Sequence, residues 1–321
     1  MPTWCWQAER RIAVIRFLAR GIAILLVLLA GAATWFYTPD LPRAKLEAAY
    51  LRHPGDLVWI NGTHLHLRDE GPPAAPAIIL LHGLGSSLHT FDGWAAALSA
   101  RYRVIRFDLP GAGLSGPDPD SLYTNERSIA LLCAVLDRLE LESATLAGNS
   151  IGGRLAWRFA AVHPDRVDRL ILIAPDGYAS PGFSYGTAPE LPLMLNLIRC
   201  FLPRWALRPS IAAAYGDPAR LSEPVLERYH ALLLASGNRK AMLDRMRHTV
   251  LVDPRPLLRR IPVPVLLMWG EKDAMIPVAN ARDYLAELPD ARLVVLPGLG
   301  HVPQEEAPAE SLVPVIEFLD G

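Results

Sequence analysis

The stretch Ala144-Thr145-Leu146-Ala147-Gly148-Asn149-Ser150-Ile151-Gly152-Gly153 reads as a short apolar strand that passes through a glycine-rich turn into a helix, whose period continues from Gly152 to Val162. A serine at such a strand-to-helix turn is held in a strained conformation, with its hydroxyl presented at the C-terminal edge of a sheet. Glycines two positions to either side are required because side chains there would collide with the neighbouring backbone. The Ile151 amide, at the start of the helix, points toward any oxyanion formed beside Ser150. Ser150 is therefore the candidate nucleophile. A glycine-rich turn with an idle serine explains the strand–turn–helix context less well.

Outward from this turn, the chain repeats one pattern. Ala77-Ile78-Ile79-Leu80-Leu81 is a continuous apolar run of the kind that suits a strand buried on both faces. Runs at 104–107, 170–173, 263–268 and 293–296 resemble it, and helical periods at 128–139, 152–162 and 279–288 lie among them. Upstream, 57–60 and 64–67 flank Asn61-Gly62, a strong hairpin signal. Alternating strands and helices predict an α/β fold with a mostly parallel, doubly wound sheet, over residues 56–175 and 256–321. From 176 to 255 no strand is evident. Leu-, Met- and Arg-rich helical segments split by prolines predict a helical cap inserted between two strands.

An alcohol is a weak nucleophile and needs a base, and the base needs a holder. His301, in Gly298-Leu299-Gly300-His301 after the last apolar run, is the candidate base. Asp273, in Gly270-Glu271-Lys272-Asp273, follows the run at 263–268 and is the candidate holder, with Glu271 as its competitor. The chain order Ser, Asp, His is that of one convergent triad. A second oxyanion amide is expected from His82-Gly83-Leu84-Gly85, with Leu84 as the choice. Neither GxxxxGK[ST] nor GxGxxG occurs there, which argues against a nucleotide loop. Cys5, Cys133 and Cys200 form no disulfide framework and no metal-ligand spacing with the nine histidines. The net charge of −1, from 32 basic and 33 acidic residues, advertises no nucleic-acid partner.

The N-terminal segment differs in kind. Residues 21–37 carry no charge, and seventeen residues at about 1.5 Å each reach roughly 26 Å, close to the bilayer core of about 30 Å. Arg10, Arg11, Arg16 and Arg20 precede this run and Trp35, Phe36 and Tyr37 close it, as basic flanks and an aromatic belt would. The expectation is a basic cytoplasmic N-terminus over 1–20, a single transmembrane anchor over 21–38, a proline-punctuated stalk over 39–55 and an exported body. A cleaved signal peptide ending near Ala30-Gly31-Ala32 is the alternative, giving a secreted protein.

With these residues in hand, the chain from about Leu57 to Gly321 resembles the α/β-hydrolases. Asp108-Leu109-Pro110-Gly111-Ala112-Gly113-Leu114-Ser115 is similar to the family's turn after its fourth strand, and Gly300 to Pro308 to its histidine loop. The resemblance implies Ser150, Asp273 and His301 as triad, the Leu84 and Ile151 amides as oxyanion hole, a cap that covers the pocket, and no metal or organic cofactor. The expected activity is carboxylic ester hydrolysis of a small, hydrophobic acyl substrate. The Gly-Asn-Ser-x-Gly-Gly elbow also resembles carbon–carbon bond hydrolases of aromatic ring-fission products. Those enzymes carry a tryptophan after the catalytic histidine, where this chain has Val302, and use a cap arginine, for which Arg199 or Arg204 is available. A non-catalytic binding protein on the same scaffold, or an acyltransferase sharing the acyl-enzyme, are the other readings.

Overall fold

Eight strands hydrogen-bond into one sheet: β1 (Leu57–Ile60), β2 (Thr63–Glu70), β3 (Ala77–Leu81), β4 (Arg103–Phe107), β5 (Ala144–Asn149), β6 (Val167–Ile173), β7 (Val265–Gly270) and β8 (Ala291–Leu296). The computed structural model describes residues 15–28, 31, 34, 37–179 and 184–321. Sheet order is β1-β2-β4-β3-β5-β6-β7-β8. β1 and β2 form a hairpin in which Asn61 and Gly62 both take positive φ, 51° and 83°, the twist-matched turn that this dipeptide favours. β2 runs antiparallel to β4, and every later pairing is parallel.

From β3 the chain steps to β4 on one side and then to β5 on the other, so the order reverses between β3 and β5. Loops leaving two strands in opposite directions open a crevice at their C-terminal ends. The loop after β3 and the turn after β5 thus border the same crevice. Both strands are fully buried. Because side chains alternate along a strand, Ile79 and Leu81 enter one apolar layer with Trp157, Phe159 and Trp269, while Ile78 and Leu80 enter the other with Phe91, Trp94 and Met268.

Residues 176–255 contain the helices Arg204–Ala212, Glu223–Leu233 and Asn238–His248 and a 3-10 helix, Leu193–Arg199. Among the described residues the segment's only β-pairing is a single bridge, Tyr185 to Leu251. Pro181, at its start, lies outside the described residues. The segment has an apolar cluster of its own, including Leu207, Leu226, Tyr229 and Leu233, into which Val302 from the histidine loop inserts. Helices that escape the sequence pattern include Asp92–Leu98 and Pro308–Asp320. The second carries Pro314 in its interior, a residue that argues against a helix when read locally.

The stretch expected to be a stalk holds a helix, Arg43–Tyr50, entered through Pro42. Its buried Leu46 packs with Leu114, Ala231, Leu232 and Ala235, against the cap and the turn after β4. The Leu41 amide donates to the Leu234 carbonyl at 2.8 Å, and Arg239 pairs with Asp40 at 2.7 Å. Proline punctuation alone could not tell a linker from a docked helix.

Residues 15–28 are helical, and Ile15, Phe17, Leu18, Ile22 and Leu25 among others are exposed. No helix of the described residues is long and apolar enough to cross a membrane. Residues 1–14, 29, 30, 32, 33, 35 and 36 lie outside the described residues. They include Arg10, Arg11, Trp35 and Phe36 of the expected anchor, and Ala30 and Ala32 of the alternative cleavage site.

Truncating Leu46 to alanine should lower stability by about 2–4 kcal/mol, since the side chain is buried among Leu114, Ala231, Leu232 and Ala235 and its loss leaves a cavity. Urea denaturation followed by circular dichroism measures this, and an unchanged midpoint would mean that the Arg43–Tyr50 helix is not docked in solution.

Candidate active site

Ser150 occupies φ 55°, ψ −119°, a conformation that costs a non-glycine residue about 1–3 kcal/mol and persists only where surrounding contacts enforce it. Those contacts are explicit. The Ser150 amide donates to the Ile173 carbonyl at 3.0 Å, and its carbonyl accepts from the Arg154 and Asp176 amides at 3.0 and 3.1 Å. The turn closes so tightly that a β-carbon on Gly148 would lie 2.3 Å from the Gly152 oxygen, and one on Gly152 would lie 2.2 Å from the Leu81 oxygen. The flanking glycines are thus demanded by the fold.

Asn149 is buried, and its side-chain amide donates to two carbonyls, Ile173 at 3.2 Å and His301 at 2.8 Å. It ties the serine turn to the histidine loop. His301 Nδ1 lies 2.8 Å from Asp273 Oδ2, and the other Asp273 oxygen accepts from the Met275 and Ile276 amides at 2.8 and 2.9 Å. A carboxylate can only accept, so Nδ1 carries the proton and Nε2 keeps its lone pair. Glu271, the competing acid, instead accepts from the Gly298 amide at 2.9 Å and is exposed.

The histidine loop is also fastened to the cap. The Glu306 carboxylate accepts from three backbone amides, Gly300 at 2.7 Å, Asp217 at 2.9 Å and Gly216 at 3.0 Å. The His301 amide donates to the Ala214 carbonyl at 2.7 Å. Neither Asn149 nor Glu306 stands out in the sequence by type. Their only signal is position, one inside the serine turn and the other five residues past the histidine.

Leu84 lies in the turn after β3, and Ile151 is the first residue of the helix Ile151–Val162, so the helix itself offers its amide no partner. Gly83 brings the two loops together, since a β-carbon there would sit 3.4 Å from Ser150 Cβ. The turn is braced from below. Buried His82 donates from Nδ1 to the Gly83 carbonyl at 2.8 Å and accepts the Leu109 amide at Nε2 at 2.9 Å, and burial pushes its pKa down. Asp108 accepts from the Leu88 and Leu114 amides at 2.7 and 2.8 Å and pairs with His66 at 2.7 Å. Burial alone would raise the Asp108 pKa, but His66, His82 and the Leu88 amide outweigh it and hold the carboxyl at about 2.

Ser150, His301, Leu84 and Ile151 line one cavity of about 400 Å³ between sheet and cap. Ile211, Tyr229, Met246 and Leu251 form much of its cap side, and Met275, Ile276 and Pro277 lie beside the Asp273 turn. Asp176, the only acid among the described lining residues, is paired with Arg154 at 2.9 Å, and none of them is lysine or arginine. Arg199 is exposed, and Arg204 pairs with Glu227 at 2.9 Å on the surface, so neither cap arginine reaches the cavity. Tyr229 donates to Glu305 at 2.8 Å and lies 3.2 Å from Ser86 Oγ, giving the cavity a neutral hydroxyl pair. Among the described residues no group of three or more histidines, cysteines and acids could hold a metal ion.

Residues 76–308 match the model of the alpha/beta hydrolase fold family. The chain belongs to this family. It is 32% identical over 275 residues to the dihydrolipoyllysine-residue acetyltransferase component of the acetoin cleaving system of Pseudomonas putida, a match covering 81% of this chain and 68% of that protein. It is 27% identical to the 2-hydroxy-6-oxononadienedioate/2-hydroxy-6-oxononatrienedioate hydrolase of Cupriavidus pinatubonensis, over 79% of this chain and 90% of that one. Among solved structures, a membrane phospholipase A described as a bacterial virulence factor superposes with a TM-score of 0.71 at 24% identity, over 95% of this chain and 98% of that one, a likeness of fold. With hydrolases among its relatives, the chain is a hydrolase of the α/β type.

Two outcomes follow from the bracing contacts. Gly152→Ala forces a β-carbon onto the Leu81 carbonyl, and should cost at least about 2 kcal/mol and most of the hydrolytic activity, read by thermal unfolding and turnover. Because the folded Asp108 pKa lies below the ordinary 3.8, its contribution is present above about pH 4 and is lost as pH falls toward 2. Denaturant midpoints across pH 2–6 should therefore drop less steeply on the acid side in Asp108→Asn than in the parent, from a lower starting stability.

Proposed function

We propose that the protein is a serine hydrolase that cleaves carboxylic esters with neutral, apolar acyl groups, tethered to a membrane by its N-terminal segment. Ser150 Oγ attacks the acyl carbonyl and its proton passes to His301 Nε2. The tetrahedral oxyanion is received by the Leu84 and Ile151 amides. His301 then returns the proton to the leaving alcohol, the alcohol departs, and an acyl-enzyme remains on Ser150. Water, deprotonated by the same imidazole, attacks the acyl carbon, and collapse of the second intermediate frees the acid and restores the serine. Asp273 holds the imidazole in the Nδ1–H tautomer throughout.

The observation that carries the reading is the cavity itself. It joins the strained serine and the carboxylate-bound histidine to apolar walls, and its described lining offers no cation. A dienol keto-acid brings a carboxylate into the pocket, and a buried carboxylate without a cationic partner costs several kcal/mol. The carbon–carbon hydrolase activity suggested by the Gly-Asn-Ser-x-Gly-Gly elbow is therefore the weaker reading. For the tether, support comes from the uncharged run at 21–37, the arginines before it and the exposed apolar side chains of the helical residues 15–28. On this reading the N-terminus is cytoplasmic and the catalytic body exported.

Activity-based labelling with a fluorophosphonate should mark the parent and leave Ser150→Ala unmarked, with turnover of p-nitrophenyl esters falling at least about 10⁴-fold. Full labelling of the alanine variant would exclude Ser150 as nucleophile. Faster turnover of a ring-fission product than of any ester would overturn the choice of substrate. Carbonate washing of membranes should leave the full chain in the pellet.

A further inference from the structure

The cap carries an apolar surface that its own core does not use. Leu193 is 87% exposed, Met194 73% and Trp205 70%, with Leu197 also exposed. They lie close along the chain. The first, second and last of the aliphatic side chains share the 3-10 helix Leu193–Arg199, and Trp205 meets Phe201 edge-on with ring centroids 6.1 Å apart. Burying apolar side chains of this size from water is worth about 1.5–3 kcal/mol each, so a cluster left open favours an occupant.

The chain itself indicates which occupant. Thr38, the first residue of the body after the apolar N-terminal segment, is bound to this same stretch of cap. Its amide donates to the Cys200 carbonyl at 2.8 Å, its hydroxyl accepts from the Leu202 amide at 3.0 Å, and buried Arg239 holds the Thr38 carbonyl at 2.9 Å. Arg239 also reaches the Ile198 carbonyl at 3.4 Å. The N-terminal segment therefore leaves the body beside the exposed patch. If that segment enters a bilayer, the patch is held within a few residues of the same lipid surface.

We propose that Leu193, Met194, Leu197 and Trp205 form a face of the cap that inserts into the interfacial layer of a lipid bilayer, so that this hydrolase draws its acyl ester from the membrane. The inference rests on the tethered ester hydrolase reading and adds to it the source of the substrate. Tryptophan at a wet–apolar boundary is the side chain suited to that layer, and exposed Arg199 at the end of the 3-10 helix suits lipid phosphates. The same element spans from lipid to chemistry. Trp205 lies in the first turn of the helix Arg204–Ala212, and Ser210 and Ile211 near its other end line the cavity. Six residues at about 1.5 Å each put about 9 Å between them, within the length of one acyl chain.

The test uses the full chain in phosphatidylcholine vesicles whose acyl chains are brominated. Bromine should quench tryptophan fluorescence in the parent, and the quenched fraction should fall in Trp205→Phe, which leaves seven of the eight tryptophans in place, Trp35 of the N-terminal segment among them. In the doubly changed Leu193→Asp, Met194→Asp protein, hydrolysis of a long-chain ester held in the vesicles should fall about tenfold or more, while turnover of soluble p-nitrophenyl butyrate stays unchanged and shows that the fold is intact. Equal quenching in both proteins, or equal losses on both substrates, would overturn the proposal. A dimer of the parent that the aspartates dissociate, without any quenching difference, would instead make a second copy the occupant. No turnover of either ester by the parent would sink the hydrolase reading, yet the quenching difference would still report docking. Loss of the chain from vesicles in carbonate would likewise sink the tether alone.

Discussion

A single backbone conformation organises the site. At φ 55° and ψ −119°, Ser150 has no regular structure to continue into, so it is held by what surrounds it: the Ile173 carbonyl on one side and the Arg154 and Asp176 amides on the other. These anchors belong to β6, to the helix Ile151–Val162 and to the entry of the cap. The strain, about 1–3 kcal/mol, is met by interactions made only when all three are in place. The serine is thus presented only by the completed fold, and the order reversal between β3 and β5 puts the Leu84 turn beside it.

The histidine is positioned by a different route. His301 sits on a loop rather than a strand, and loops are mobile unless fastened. Asn149 holds its carbonyl, Ala214 its amide, and Glu306 joins the preceding glycine to two cap amides. Residues 214–217 are therefore part of the scaffold of His301, the proposed base. A cap that swung away as a whole would break three hydrogen bonds that fasten the His301 loop. Opening of the cavity is more economical if it is confined to other parts of the cap, such as Leu193–Arg199 and the helix Arg204–Ala212, which do not hold the histidine loop.

Much of this was legible in the sequence because it is local. The apolar runs, the Asn61-Gly62 hairpin and the Gly148–Gly153 turn each report a conformation through neighbouring residues alone; β1 and β3 coincide with their runs, β7 lies two residues along from its own, and the other strands extend theirs by one to four residues. The pairing of His301 with Asp273 rather than Glu271 depends on which acid the turn after β7 aims inward, and the chain order, the same for either acid, could not decide it. What could not be read is what joins distant segments. Leu46 looks like any aliphatic residue between prolines, yet it docks a helix on the cap. Glu306 looks like a surface acid, yet it spends its charge on three amides. Pro314 argued locally against a helix that tertiary packing enforces, with Leu312, Val315 and Phe318 in the second apolar layer.

Electrostatics separate the two chemistries that this triad could serve. The triad is indifferent to what the acyl carbonyl is attached to, so discrimination falls to the walls. Arg154 is near enough to matter, but Asp176 neutralises it at 2.9 Å and Thr249 accepts a second bond from it at 3.2 Å. The Tyr229–Ser86 pair is neutral as well, and burial beside Glu305 raises the Tyr229 pKa. On the proposed reading, a cavity built in this way disfavours a carboxylate by leaving it without a counter-ion, and favours an apolar chain because removing each methylene from water gains about 0.8 kcal/mol. That selectivity needs no dedicated recognition residue, and none of the described lining side chains supplies a positive charge that would reverse it.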